Sequence, residues 1–399
     1  MDEEMPARRM NPAAPACGIW AVLVLAVCCA AVPTRAQEGA DIRKTVDDAA
    51  GSLMAAHDVP GMAIAVTAGA RSRIFTYGVA TRETDAPVTE GTLFEIGSVS
   101  KTFTATLASL AEVQGKMSLG DHPGRYVPEL RGAPVDKASL LHLGTYTAGG
   151  LPLQFPDTVR TDKETKVYLR TWKPDAAPGT QRRYSNPSIG LLGHVTGVAL
   201  GSDYATAVEA DLFPRLGMSQ SYVRVPKSAM GSYAQGYTKD DKPIRITGGM
   251  FGAEAYGVRS TAGDMIRFVE ANITPEVLDG EIRRAVENTH IGFFRTAGMT
   301  QGLGWEQYPY PVSLESLLAG NSTQMIWEPN PATEIVPPRK PEGPTLFNKT
   351  GSTNGFSAYV AFFPDKKIGL VMLANKNFPI PARIKAAHRI LEQLARGGD

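Results

Sequence analysis

The sequence predicts an α+β fold: one antiparallel sheet built from both chain ends and flanked by the terminal helices, with a large, mainly helical domain inserted between them. Three observations lead to this prediction. A helical pattern followed by two β-type runs stands near the N-terminus, and two β-type runs followed by a helical pattern stand near the C-terminus. Most of the chain between them has helix and loop patterns.

The first part of the predicted sheet follows an amphipathic helix. Residues 41–57 place Ile42, Val46 and Leu53 on one side of a helix, which Pro60 and Gly61 should end. Residues 62–67 and 73–80 are β-type runs, and residues 69–72 between them have the composition of a hairpin turn.

The middle of the chain is predicted to contain helices over residues 102–114, 187–198, 203–216 and 261–272, with breaker residues at 148–152 and a loop-rich segment over about 224–257. Near the C-terminus, strands over 358–363 and 368–374 flank a turn at 364–367, and a helix follows over 381–395. The proline-rich segment 329–344 is predicted to be an exposed, extended loop.

Residues 1–36 have the features of a signal peptide. Arg8 and Arg9 precede an apolar run over residues 19–32, and small residues follow up to Ala36, where cleavage is simplest. All three cysteines lie in this segment, so the mature protein would contain no thiol. We therefore expect an exported, periplasmic protein whose catalytic unit spans residues 37–399; an uncleaved membrane anchor is the alternative. Its α/β part would comprise about residues 37–97 and 258–399, and its helical part about residues 98–257.

Composition excludes several classes of function. The chain has 41 basic and 40 acidic residues, a net charge of +1, so it has no basic field for nucleic acid. After the N-terminus no run of 18 apolar residues could span a membrane. The six histidines show no metal-ligand spacing, and we expect neither a metal nor another cofactor.

A serine and a lysine three residues apart form the first candidate for chemistry. Ser98 and Lys101 precede the predicted helix 102–114, which would place them on one helical face near its positive end. A hydroxyl beside an amine is a candidate nucleophile. The pattern S-x-x-K is weak alone, since about one chance match is expected in a chain of this length.

Two more tripeptides make the pattern specific. Tyr184-Ser185-Asn186 precedes an apolar helix, and Lys349-Thr350-Gly351 precedes the C-terminal strand pair. In this order, the three motifs form the signature of penicillin-recognising serine enzymes. Together with the stretches around them, 97–103, 140–154, 177–193, 301–306 and 348–356, they resemble the class C serine β-lactamases, and the likeness covers nearly all of the mature chain.

The resemblance implies a fold like that of the serine β-lactamases and D,D-peptidases, and a role for each motif. Ser98 would attack the β-lactam carbonyl, and Lys101, Tyr184 and Lys349 would manage its proton. Which of Lys101 and Tyr184 is the base stays open. A free tyrosine, with a pKa of about 10, is a poor base at neutral pH. Two nearby ammonium groups could lower that pKa by the required three units or so, since a charge at about 4 Å contributes about 4 kcal/mol.

The resemblance also implies a set of substrate contacts. Lys349 and Thr350 would bind the carboxylate, Gly351 would let the backbone approach, and the N–H groups of Ser98 and Ser352 would form the oxyanion hole. The remaining contacts would be the amides of Gln154 and Asn186 to the acylamide side chain, an aromatic wall at Tyr256, and Asn377 near the carboxylate. Ile380 departs from the family pattern, because many relatives have an asparagine there.

The expected function is therefore hydrolysis of β-lactams, chiefly cephalosporins, by a monomeric enzyme whose only expected partner is this small-molecule substrate. A D,D-peptidase or a class-C-like esterase would use the same Ser-Lys-Tyr site. A sensor that becomes acylated and stays acylated would also contain the serine, but it would need no deacylation base.

Overall fold

The structure, a computed structural model, describes residue 1 and residues 35–69 and 71–396. The predicted signal peptide lies outside the described residues except for Met1 and its last two positions, and so do all three cysteines. No helix in the described part of the chain is long and apolar enough to cross a membrane.

Strands from both ends of the chain form one antiparallel sheet, as predicted. The strands are β1 Gly61–Ala68, β2 Arg71–Thr81, β3 Ala86–Pro87, β4 Phe94–Glu95, β5 Gln181–Arg182, β6 Gly236–Tyr237, β7 Pro243–Ile244, β8 Arg259–Ser260, β9 Gly292–Thr296, β10 Met299–Gly302, β11 Glu306–Pro309, β12 Asn330–Pro331, β13 Thr333–Arg339, β14 Thr345–Ser352, β15 Ser357–Phe363 and β16 Ile368–Ala374. The main sheet has the order β13-β9-β10-β11-β14-β15-β16-β1-β2-β3. The N-terminal β1 therefore pairs with the C-terminal β16.

The helices cover both faces of this sheet and fill the middle of the chain. They are α1 Arg35–His57, α2 Ser100–Val113, α3 Leu140–Gly144, α4 Asp162–Thr171, α5 Asn186–Ala199, α6 Tyr204–Ala207, α7 Phe213–Arg215, α8 Gly252–Tyr256, α9 Ala262–Ile273, α10 Gly280–Thr289, α11 Leu314–Gly320, α12 Thr323–Trp327 and α13 Ile380–Arg396. A π-helical turn, Val208–Leu212, joins α6 to α7, so the helix predicted over 203–216 is continuous but not uniform.

The central strands are apolar at consecutive positions because both of their faces are buried. Along β16, Leu370 and Met372 contact the side of the sheet covered by α1 and α13, whereas Val371 and Leu373 contact the side covered by α9. Side chains alternate between the faces of a strand, so each core takes every second residue. The unbroken apolar run 368–374 is thus the pattern of a central strand.

The segment 329–344 differs from its prediction. It is exposed and extended as expected, but it is not a loop throughout, because β12 pairs with β5 and β13 forms one edge of the main sheet beside β9. Proline is tolerated on an edge strand, where an N–H group has no neighbouring strand to bind. Similarly, Lys349, Thr350 and Gly351 lie within β14 rather than before a strand.

The central position of β16 leads to a stability prediction. Val371 is 0% exposed between its partners Ala65 and Val360, so Val371→Ala removes two buried methyl groups and leaves a cavity. We expect the free energy of unfolding to fall by about 2–3 kcal/mol, measured by denaturant-induced unfolding. The same change at Val277, which is 76% exposed, is the matched control and should alter it by less than about 0.5 kcal/mol. Equal effects at the two positions would contradict this account of the core.

Candidate active site

Ser98 and Lys101 meet at the start of α2. Ser98 lies in a 3-10 turn, Gly97–Val99, and Lys101 lies in the first turn of the helix that follows. The Lys101 ammonium is 0% exposed; it donates to Ser98 Oγ at 2.8 Å and to the carbonyl of Ala255 at 2.7 Å. The spacing of three residues therefore brings the hydroxyl and the amine into direct contact, with the hydroxyl half-buried at the surface of a cleft.

Two glycines allow strand β14 to lie directly against this turn. Gly97 has a φ of +52°, and a Cβ atom there would stand 2.5 Å from the backbone nitrogen of Ser352. A Cβ atom at Gly351 would overlap the carbonyl oxygen of Ile96. Only glycine fits both positions, because one needs a left-handed conformation and both need the space of a missing side chain. As a result, the backbone of Ser352 lies beside the turn that carries Ser98.

Tyr184 is held next to these groups by the end of β5 and the start of α5. Ser185 caps α5, because its side chain accepts a hydrogen bond from the backbone N–H of Ser188 at 3.0 Å. The phenolic oxygen of Tyr184 is buried and has no hydrogen-bond partner of standard geometry among the described residues. The ammonium groups of Lys101 and Lys349 each lie 5.0 Å from the centre of its ring. Tyr184 therefore stands between two buried cations.

These charges alter the acidity of all three side chains. Burial alone would raise the pKa of Tyr184, but the positive charges of Lys101 and Lys349 outweigh it and lower this pKa to about 8. Burial lowers the pKa of Lys101 to about 8, with a smaller contribution from Lys349. Burial also lowers the pKa of Lys349, but the negative charges of Glu306 and Tyr184 outweigh this effect, so the pKa of Lys349 is raised. Tyr184 and Lys101 are thus matched for proton exchange near neutral pH.

Glu306 and Arg182 belong to the same buried charge cluster and were not predicted. Glu306 Oε1 lies 3.5 Å from both Arg182 and Lys349. Arg182 also donates to Gln301 at 2.7 Å and to the carbonyl of Met325 at 3.0 Å. Both residues stand in stretches that carried the family resemblance, yet local sequence does not reveal which buried acid faces which base. The sequence indicates only that each is a charged residue in or beside a stretch that resembles the family.

The cleft around Ser98 has a volume of about 190 Å³ and brings together most of the predicted site. It is lined by Ser98, Leu153, Gln154, Arg182, Tyr184, Asn186, Glu306, Gly320, Asn321, Met325, Ile326, Lys349, Thr350, Gly351, Ser352 and Ile380. Asn186 is buried at the wall of this cleft, and its side-chain oxygen Oδ1 has no hydrogen-bond partner among the described residues. Ile380 adds an apolar side chain at the rim.

Two predicted substrate contacts are not among the residues that line this cleft. Tyr256 lines a separate cavity, to which other residues of α8 also contribute. Asn377 is half-buried, and its side-chain oxygen accepts a hydrogen bond from Arg383 at 3.0 Å. Arg383 in turn donates to the carbonyl of Gly351 at 2.6 Å, so Asn377 contacts a residue that supports β14.

The chemistry that this arrangement can perform is nucleophilic attack by a serine with proton transfer through an amine and a phenol. In residues 35–69 and 71–396, no group of three or more histidine, cysteine, aspartate or glutamate side chains is placed to hold a metal ion. The cleft also offers amide and ammonium groups, which suit an acyl substrate that carries a carboxylate.

Comparisons with known proteins agree on one family. The family model described as Beta-lactamase matches residues 46–395. A β-lactamase of Pseudomonas fluorescens is 49% identical over 354 residues, which cover 89% of this chain and 99% of that protein. A solved class C β-lactamase in complex with cefoxitin is 47% identical with a TM-score of 0.86, covering 88% of this chain and 99% of that one. A solved D-alanine carboxypeptidase of Burkholderia cenocepacia is 51% identical with a TM-score of 0.85, covering 89% and 99%.

The position of Tyr184 between two cations gives a prediction about its titration. Lys349→Met keeps the length of the side chain but removes one ammonium group, so the pKa of Tyr184 should rise from about 8 toward the ordinary value of tyrosine. The measurement is a pH titration by NMR of protein labelled at the tyrosine Cζ carbon, with Tyr184→Phe used to assign the resonance. Lys349→Arg retains the charge and is the control. A titration of Tyr184 that Lys349→Met leaves unchanged would refute this electrostatic account.

Proposed function

The chain belongs to the β-lactamase family, and on this basis we propose that it is a class C serine β-lactamase that hydrolyses β-lactams, chiefly cephalosporins, through an acyl-enzyme on Ser98. The observation that carries the proposal is the contact of Lys101 Nζ with Ser98 Oγ at 2.8 Å, beside a tyrosine whose pKa is lowered to about 8. At pH 7 about a tenth of such a tyrosine is phenolate, compared with about a thousandth at a pKa of about 10.

In the acylation step, Ser98 Oγ attacks the carbonyl carbon of the β-lactam ring. The hydroxyl proton leaves through Lys101 and Tyr184, the C–N bond of the ring breaks, and the ring nitrogen receives the proton from Tyr184. Contact between Lys101 and the Ala255 carbonyl holds the amine in place for this transfer. The product is an ester between Ser98 and the opened antibiotic.

In the deacylation step, a water molecule attacks the ester carbon and transfers a proton to Tyr184. The bond to Ser98 Oγ then breaks, and the serine regains a proton through the same pair of residues. In both steps the backbone N–H groups of Ser98 and Ser352 stabilise the oxyanion. The close approach of Gly97 to Ser352 supports this role. Removing one donor from an oxyanion hole typically costs a factor of about 100–1,000 in rate.

The cleft supports recognition of an acylamino substrate with a carboxylate. Lys349 and Thr350 on β14 bind the carboxylate, and the amides of Gln154 and Asn186 bind the acylamide side chain. Ile380 offers no hydrogen bond at the carboxylate end, so the charge of Lys349 carries most of this interaction. In the same proposal Tyr256 and Asn377 act outside the immediate cleft, Tyr256 as an aromatic wall and Asn377 through Arg383.

We further propose that the enzyme works in the periplasm as a monomer after removal of residues 1–36. Arg8, Arg9 and the apolar run 19–32 support export. In this proposal the mature protein needs no cofactor and binds neither nucleic acid nor membrane.

The proposed nucleophile can be tested with two serine variants of the same region. Ser98→Ala should lower the turnover of the cephalosporin nitrocefin at least a thousandfold without changing the thermal midpoint greatly, because only the attacking oxygen is lost. Ser109→Ala is the matched control: Ser109 is buried further along α2, its hydroxyl has no partner among the described residues, and its loss should leave turnover unchanged. Substantial nitrocefin turnover by Ser98→Ala would exclude Ser98 as the nucleophile.

A D-alanine carboxypeptidase is the second candidate. The solved structure of that name at 51% identity favours it, and Lys349 and Thr350 would hold the terminal carboxylate of a peptide equally well. Steady-state hydrolysis of nitrocefin, of a peptide ending in D-alanyl-D-alanine and of a simple ester separates the alternatives. We expect nitrocefin to be hydrolysed with the highest kcat/KM. A faster reaction with the peptide or the ester, or a single burst of acylation without turnover, would overturn the proposed function.

A further inference from the structure

A second cavity lies behind the segment that positions Lys101. It has a volume of about 640 Å³ and is bordered by α5, α6 and α8, including His194, Tyr204, Glu254 and Tyr256. It shares no lining residue with the cleft around Ser98. Its volume falls in the range of pockets that hold small organic ligands.

Glu254 is the unusual residue of this cavity. Its side chain is only 8% exposed and passes over Gly193 of α5, where a Cβ atom would stand 2.7 Å from its Cγ. Its carboxylate accepts no hydrogen bond from another residue and forms no ion pair in the described part of the chain, whereas its backbone carbonyl binds the hydroxyl of Thr104 at 2.6 Å. A buried carboxylate without a partner in the protein is costly, and in native proteins such a group is protonated or is bound by water or by a ligand.

The other charged groups that face the cavity already have partners. Arg224 forms an ion pair with Asp203. Arg259 donates to the carbonyls of Val223 and Gly257 at 3.0 and 2.7 Å, and to the hydroxyl of Tyr233 at 3.3 Å. Both cations therefore have acceptors within the protein.

His194, which also lines the cavity, adds no positive charge at neutral pH. Burial lowers the pKa of His194, so its ring is neutral at pH 7. Among the charged side chains that line the cavity, Glu254 is therefore the one with neither an ion pair nor a hydrogen bond to another residue in the described part of the chain.

We propose that this cavity is a second ligand site that binds an organic monocation, an amine, amidine or guanidine with a small apolar body, by an ion pair with Glu254. Tyr256 is half-buried and lines the same cavity. A metal ion is a poorer occupant, since a single unpaired carboxylate provides too few oxygen ligands.

The site lies one residue away from a catalytic contact. The carbonyl of Ala255, next to Glu254, accepts the hydrogen bond from Lys101 at 2.7 Å. A ligand on Glu254 would therefore border the segment that holds the lysine, without entering the cleft.

Benzamidine is a suitable probe, and benzamide is its uncharged control. Calorimetric titration should show benzamidine binding to the wild-type protein at least tenfold more tightly than to Glu254→Gln, and no comparable binding of benzamide. Glu315→Gln, which changes an exposed acid on α11, is the matched variant and should bind benzamidine like the wild type. Thermal unfolding checks that the variants are folded. Equal binding to the wild type and Glu254→Gln, or equal binding of benzamidine and benzamide, would overturn the proposal.

The wild-type protein alone provides a second test. Burial, with a smaller effect of Asp203, raises the pKa of Glu254 to about 7. Protonation removes its charge below that pH, so benzamidine should bind about tenfold more weakly at pH 6 than at pH 8. Binding of benzamidine that does not depend on pH would overturn the proposal.

Discussion

The site depends on the balance of buried charge around Tyr184. Lys101, Lys349 and Arg182 bring three cations into a region with almost no solvent, and Glu306 is the acid that faces two of them. Buried charges without compensation are expensive, so the cluster holds only because each member has a partner. The excess of positive charge is what lowers the pKa of Tyr184 in spite of its burial. The same arrangement of buried charges therefore affects both the stability of the cluster and the acidity of Tyr184.

The packing of β14 and α8 sets the distances within this cluster. Gly97 and Gly351 remove the side chains that would keep β14 away from the turn of Ser98, and Arg383 binds the carbonyl of Gly351 from the other side. On the opposite wall, α8 supplies the Ala255 carbonyl to Lys101. Ser98, the proposed nucleophile, and its neighbour Lys101 thus lie between a strand of the sheet and a short helix.

Much of the fold follows from local patterns. The terminal helices and the strands β1, β2, β15 and β16 could be predicted because each has a strong apolar period and clear turn residues at its ends. Strands β9 to β13 were not predicted, since they are short or rich in proline and glycine and depend on pairing with distant neighbours. The segment 329–344 illustrates this dependence, because an extended chain becomes a strand only when β9 lies beside it.

The sequence by itself determined the family, and three short motifs in order predicted that Ser98, Lys101, Tyr184 and Lys349 carry the chemistry. Only the tertiary structure decided what those groups face. Ala255, whose carbonyl accepts a hydrogen bond from Lys101, lies 154 residues away along the chain, and Arg182 and Glu306 are 124 residues apart. A motif records the residue types that the chemistry requires, whereas a pKa depends on burial and on the distance to other charges. For the same reason, only the tertiary structure shows that the carboxylate of Glu254 is buried without an ion pair.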